Sequence, residues 1–233
     1  MRVIALVHVV GTGRAGTALA GRLRGAGLTI TIGRDIDPAA ELVLIAVPDS
    51  AIGEVARTVP IGPWVAHVSG ATSVTKLSPH ARRFSLHPLQ TLTTDRGPDQ
   101  LEGAWAALTF ETTEAGEVAH WLAERLGLHP FVLADGDKAL YHAGAAMASN
   151  FLVTLYRVAA RLLVESGAPP EALIPLMRRV IENGFQLTGP IARGDWSTVD
   201  AHLAAIGERT PDVEPVYRAL AEATRAVAAE DRS

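Results

Sequence analysis

The chain has 233 residues, of which 48% are hydrophobic and 20% charged, with a formal net charge of −4 and no cysteine. That length carries one large domain or two modest ones. The missing thiols exclude disulfides, thiolate metal sites and cysteine nucleophiles, and the acidic balance leaves no basic excess for a nucleic-acid backbone. No unbroken apolar run reaches the roughly 18 residues of a membrane span. The first apolar stretch, residues 3–10, runs into glycines without the basic start or cleavage site of a signal peptide. Neither a membrane nor a nucleic acid is therefore expected as a partner, and the expected location is cytoplasmic.

In chain order, runs rich in Val, Ile and Leu alternate with helical patterns. Residues 3–10 read as a buried strand, 17–27 as a helix ending at glycine, 28–32 as a second strand and 42–47 as a third. A helix is expected over 50–58, strands over 64–68, 83–86 and 106–110, a helix over 114–126 and a last short strand over 130–133. The stretch 35–41 is too short for a normal crossover helix, so a loop or an abbreviated helix is expected there. Such alternation implies an α/β Rossmann-type, mostly parallel sheet flanked by helices.

Beyond Asp135 the strand pattern stops. Residues 138–166 form one long helical pattern, with Gly144 its interior breaker. Helices follow over 171–183, with Pro175 near the first turn, and over 197–208 and 213–230, with a glycine-rich loop at 187–195. The expected division is an α/β domain over 1–135 and an all-α domain over 136–233.

Gly11-Thr12-Gly13-Arg14-Ala15-Gly16 carries Gly-x-Gly-x-x-Gly between a strand and a helix, the context that gives this pattern meaning. Gly11 serves the tight turn, Gly13 the approach of a pyrophosphate and Gly16 the packing of helix on strand. The helix N-terminus supplies free amides and partial positive charge to phosphates. The ligand so implied is a nicotinamide dinucleotide. At the end of the second strand, Arg34 suits the 2′-phosphate of NADP, with Arg14 adding charge, whereas Asp35 would suit the ribose of NAD. NADP is the expected cofactor, NAD the alternative.

Ligands in open α/β sheets bind beyond the carboxyl ends of strands. Val47-Pro48 follows the third strand, with Asp49 or Ser50 expected to cap the next helix. Ser69-Gly70 follows the fourth, where Gly70 would admit a nicotinamide ring. His87-Pro88-Leu89-Gln90 ends the fifth, and His87 reads equally as a structural histidine or a substrate contact.

These segments occur in order with Tyr141-His142-Ala143, Ser149-Asn150 and residues 187–195, which contain Thr188-Gly189-Pro190 and Arg193-Gly194-Asp195. Together they resemble, over nearly the whole chain, the Rossmann-like oxidoreductases with a C-terminal helical domain of uncharacterised function. That family is related to ketopantoate reductase, pyrroline-5-carboxylate reductase and 6-phosphogluconate dehydrogenase. The resemblance implies a homodimer formed through the helical domains, a small-molecule substrate, and for some members ketopantoate reduction. One departure stands out: the Lys-x-x-x-Asn pair of related β-hydroxyacid dehydrogenases has Ala146 in place of lysine before Asn150, so their lysine acid does not carry over there.

Ketone reduction needs an acid for the developing alkoxide. Lys138, His142 and Ser149 are spaced to share a helix face, with Asn150 beside it. His142 is the first expected proton donor and Lys138 the second, with Asn150 orienting substrate or cofactor amide. Arg193 suits a carboxylate clamp, or else an ion pair with Asp195. Scattered histidines and the absence of a Gly-x-Ser-x-Gly elbow argue against a metal site or a serine hydrolase. The expected activity is NADP-dependent reduction of a small carbonyl acid, with ketopantoate to pantoate as the specific case. The alternatives are a non-catalytic dinucleotide sensor, an imine reductase, or a deazaflavin-NADP oxidoreductase.

Overall fold

A computed structural model describes residues 4–230. The chain divides into two compact units, Met1–Ser149 and Asn150–Ser233. The first unit is built on a seven-stranded sheet in the order β2-β1-β3-β4-β5-β6-β7. Its strands are β1 (Leu6–Val10), β2 (Thr29–Ile32), β3 (Leu42–Ile45), β4 (Trp64–His67), β5 (Arg83–Pro88), β6 (Trp105–Phe110) and β7 (His129–Val132). All neighbouring pairs are parallel except β5 with β6, which are antiparallel from Phe84 opposite Phe110 to Pro88 opposite Ala106. The expected strand at the N-terminus begins at Leu6; residues 1–3 lie outside the described part.

Helices α1 (Arg14–Gly25) and α3 (Thr113–Leu126) pack on one face of this sheet, and α2 (Ile52–Thr58) covers the other. The central strands β3 and β4 are buried throughout, as expected for a parallel sheet covered on both faces. The edge strands β2 and β7 are half-exposed. The 35–41 stretch is a loop, as its shortness implied. Helix α3 is bounded by local chemistry. The Thr112 side chain accepts from the Ala115 amide at its start, and Gly127, at φ 73°, closes it in the left-handed region.

The last strand ends at Val132, in line with the sequence pattern, yet the first unit continues to Ser149 rather than stopping at 135. The reason is α4 (Lys138–Ala146), whose first side chain is buried within the sheet unit. The long helix expected over 138–166 is present, within the helical stretch Asp135–Glu165, but its winding changes partway along. A π-helical turn, Met147–Phe151, separates α4 from α5 (Leu152–Glu165). Ser149 contributes to this turn by donating its hydroxyl to the Ala145 carbonyl at 2.7 Å.

The second unit contains α5, α6 (Leu173–Glu182), α7 (Pro190–Arg193), α8 (Trp196–Arg209) and α9 (Glu214–Glu230). The segment expected to be a glycine-rich loop thus holds a short helix, entered through Pro190 and closed by Gly194 at φ 71°. Asp195 caps α8, accepting from the Thr198 amide. Arg161 of α5 donates both terminal nitrogens to Asp212. Few large apolar side chains of this unit are buried; Leu173, Val199, Ile206 and Val213 are the principal ones among the described residues.

The segment Asp135–Glu165 is, among the described residues, the one helical stretch long and apolar enough to cross a membrane by length and composition. The sequence expectation counted unbroken apolar runs and so passed over it. Its beginning is committed elsewhere, since Lys138 is hydrogen-bonded to Ser69 and Ser85 of the sheet unit.

Leu44 lies in the middle of the sheet with no exposure. Truncation leaves a cavity, so Leu44→Ala should lower stability by about 3 kcal/mol in urea unfolding. Ile61→Ala, at a residue 73% exposed, should change it by less than about 0.5 kcal/mol.

Candidate functional site

The strand order reverses between β1 and β3, with β2 on one side and the remaining strands on the other. This switch point is where a ligand can enter beyond the strand ends. Gly11, at φ 122°, turns the chain there; a Cβ on it would lie 2.3 Å from the Ala46 carbonyl oxygen. A Cβ on Gly16 would lie 2.0 Å from the Gly11 oxygen. Neither position has room for a side chain, so the turn after β1 sits tightly against the end of β3.

Gly13 differs: a Cβ on it would meet nothing within 4 Å. It occupies the N-cap of α1, with no capping side chain and no acidic residue in the first turn. The first-turn amides therefore have no capping side chain, and their partial positive charge is uncompensated by an acidic residue of that turn. Thr12 and Arg14 are exposed, Ala15 and Val47 half-buried and Pro48 exposed. Arg34 follows β2, exposed and without a side-chain partner among the described residues, as is Arg14. An open cradle at Gly13, an uncapped helix and two unpaired guanidinium groups fit a dinucleotide pyrophosphate.

A polar network, largely buried, lies at the ends of β3 and β4 and against Ser85 within β5. The Lys138 amine, on a residue 1% exposed, donates to Ser85 Oγ at 2.8 Å and to the Ser69 carbonyl at 3.3 Å. Ser69 Oγ donates to Asp49 Oδ2 at 2.7 Å and accepts from the amides of Ala71 and Thr72. Its hydroxyl is thus fully engaged in shaping the turn. Asp135 accepts from the Ser73 hydroxyl and the Val74 amide, joining the start of α4 to the same turn. Burial pushes the Lys138 pKa down, opposed by Asp135 and Asp49. His67, with no exposure, accepts the Ser69 amide at Nδ1. Its pKa is pushed down to about 4, first by burial and then by the Lys138 charge.

Three rings gather above this network. His87 Nδ1 is 2.8 Å from Tyr141 Oη, and the centroids of His87 and His142 are 6.0 Å apart. A Cβ on Gly70 would lie 2.8 Å from His142 Cδ2 and 2.8 Å from His87 Cε1. Glycine at this position thus admits two imidazoles. Burial, followed by the charges of His142 and Lys138, pushes the His87 pKa down to about 4. Burial raises that of Tyr141 to about 12.

The structure therefore brings together Ser69, Gly70, His87, Lys138 and His142 of the expected residues, and corrects several assignments. Lys138 lies in the wall of the site, enclosed, rather than at its surface as a proton donor. It lies one helical turn before His142, but Ser149 falls in the π-helical turn, so the shared face does not extend to Ser149 or Asn150. Asp49 caps no helix; its carboxylate serves Ser69. Arg193 belongs to the second unit and donates to the Thr188 carbonyl at 2.6 Å, while Asp195 is occupied in capping α8. Sequence reasoning missed Asp49, His67, Ser85, Asp135 and Tyr141 as members of the network. The signal for most of them was their position at or just beyond a strand end.

A mostly parallel sheet with a glycine turn at its switch point and a following helical region defines a Rossmann-type protein. Residues 105–224, more than half of the chain, match the family described as a domain of unknown function, DUF2520, and the chain belongs to that family. No curated protein matches its sequence. Among solved structures, a candidate NADP oxidoreductase from Bacteroides fragilis, BF3122, is similar at 19% identity and a TM-score of 0.81, over 96% of this chain and 98% of that one. Protein TM1727 from Thermotoga maritima is similar at 24% identity and a TM-score of 0.78, over 97% and 100%. A reductive aminase from Aspergillus terreus in complex with NADPH and ethyl levulinate is similar at 17% identity and a TM-score of 0.66, over 97% and 94%. At these identities the likeness is one of fold.

Two outcomes follow from this geometry. Gly13→Val should keep the fold, since the side chain enters open space, yet weaken binding of a reduced nicotinamide dinucleotide by about tenfold or more in a fluorescence titration. Gly16→Ala should lose thermal stability as well. Second, the lowered pKa of His67 means the unfolded state binds the proton more readily. The associated stability is present above about pH 6.5 and lost as the pH falls to about 4, amounting to roughly 3 kcal/mol for this imidazole. Urea unfolding across that range should show the loss, and His67→Gln should remove this imidazole's share of it while the share of His87, lowered to about 4 likewise, remains.

Proposed function

We propose that this protein is an NADP-dependent oxidoreductase that reduces a small carbonyl acid, ketopantoate to pantoate being the specific reaction. The observation that carries the reading is the open, uncapped cradle at Gly13 set at the sheet's switch point, in the same unit as the imidazole pair His87 and His142. Solved structures of like fold include proteins whose names state NADP or NADPH, and one in complex with NAD+. They support a nicotinamide dinucleotide.

Gly11, Thr12, Gly13, Ala15 and Gly16 would hold the pyrophosphate through backbone amides, and Val47 and Pro48 would border it. Arg34, assisted by Arg14, would take the 2′-phosphate by a charge-assisted fork. When bound, NADPH supplies the hydride. His142 delivers the proton to the substrate oxygen and recovers it from solvent. Ser69 and Lys138 hold the turn that carries Gly70, keeping the two imidazoles in place.

The partner is a second copy of the chain, in a soluble cytoplasmic homodimer formed through the helical unit. Supporting this are the large apolar side chains that unit exposes, among them Phe151, Val153, Leu176, Ile181 and Phe185. Monomers rarely leave so much apolar surface in water.

The decisive experiment follows reduced-nicotinamide absorbance with NADPH or NADH against ketopantoate, other 2-keto acids and cyclic imines. Ketopantoate turnover with tighter binding of NADPH than NADH is expected. His142→Ala should lower turnover roughly 100-fold or more. Binding without turnover of any compound would favour the sensor, and turnover of imines alone an imine reductase. Sedimentation should give twice the chain mass of 24.6 kDa.

A further inference from the structure

We infer that Tyr141 is a positioning residue that holds His87 in its Nε2–H form, and that His87 donates this hydrogen bond, uncharged, to an oxygen acceptor on the substrate. This rests on the reductase reading and narrows it to carbonyl compounds.

Tyr141 Oη and His87 Nδ1 are 2.8 Å apart. A phenol hydroxyl is a good donor with a weakly basic oxygen, and a bare imidazole nitrogen is the better acceptor. Tyr141 therefore donates and Nδ1 accepts. In a neutral ring one nitrogen carries the proton, and the bond made by the other decides which. Nε2 then bears the hydrogen. Burial keeps the phenol protonated and the imidazole neutral at pH 7, with pKa values of about 12 and about 4.

Nε2 lies beside Gly70, where an added Cβ would approach it to 2.9 Å. It has no protein partner among the described residues. Nor is it among the buried unpartnered side-chain atoms, which are His67 Nε2 and Thr210 Oγ1. The donor is therefore open at the surface of the site. The tyrosine itself is held by ring contacts, edge-on to His87 at 5.5 Å and to Phe131 at 5.9 Å.

A neutral N–H recognises a lone pair. During reduction the carbonyl π pair moves onto oxygen as the hydride adds to carbon, so the accepted bond strengthens as the reaction proceeds. An imine takes up hydride as its protonated iminium, whose nitrogen has no lone pair to offer, and this donor gives that species nothing. A neutral ring that gave up its one N–H would be left as an imidazolate, so His87 does not supply the proton; that role stays with His142.

Nitrogen NMR of the histidines tests the assignment without turnover. In the wild type at neutral pH, His87 should show a protonated Nε2 and a hydrogen-bonded, unprotonated Nδ1. In Tyr141→Phe, which keeps the ring contacts, the Nδ1–H form should become populated. Oxamate, a non-reducible analogue of a 2-keto acid, should shift the Nε2 resonance in the presence of NADPH. Its affinity should fall about tenfold in Tyr141→Phe, with NADPH affinity unchanged. His87→Ala removes both the acceptor for the phenol and the N–H donor, so Tyr141→Phe should cost little in that background. A proton on Nδ1 in the wild type overturns the inference. So does an oxamate affinity unaffected by Tyr141→Phe, or a Tyr141→Phe effect undiminished in the His87→Ala background. If neither pyridine nucleotide binds, the reductase reading fails, and the tautomer is still read from the free protein.

Discussion

An ammonium group taken out of water must be surrounded by acceptors, and Lys138 meets this demand where α4 begins. Its two bonds, to a serine hydroxyl in β5 and a carbonyl just past β4, tie three elements together at one point. Removing those acceptors would leave an unpaired buried amine, a cost of several kcal/mol. The start of the helix is therefore fixed against the sheet. Tyr141 and His142, three and four residues further on, reach the end of β5 from that fixed start. The imidazole pair is thus a consequence of the tether, and the tether is reinforced by Asp135 on the adjoining turn.

Much of the α/β half could be read in the amino acids, because its elements announce themselves locally. The glycine fingerprint sits between an apolar run and an amphipathic stretch, and each strand is a short run of branched residues. The reversal of direction between β5 and β6 was not legible, since a strand's sequence does not encode the sense in which it pairs. The π-helical turn at Met147–Phe151 was equally hidden. Its residues satisfy the helical pattern, and the extra residue per turn arises from backbone bonding. For the site, the residues nearest the strand ends were found and their supporting partners were not. Asp49 illustrates why: after proline at a strand end it reads as a helix cap. What it binds is a serine twenty positions away, a contact that only the assembled sheet creates.

The two units differ in how they are stabilised. The sheet unit buries two continuous apolar layers, one under α1 and α3 and one under α2. In the helical unit, stability on its own rests on a thin interior and on polar fastenings such as Arg161 with Asp212. Exposed pairs of that kind contribute about 0–1 kcal/mol. Helices of this length draw most of their stability from an apolar face covered by something else.

Gly70 imposes a rule on how sequences of this type can diverge. A methyl group there would collide with two separate rings at once. Any relative that carries alanine or a larger residue at the equivalent place must have reshaped or abandoned at least one of those rings. Across an alignment the three positions should vary as a linked set, with the smallest residue present wherever both heterocycles persist.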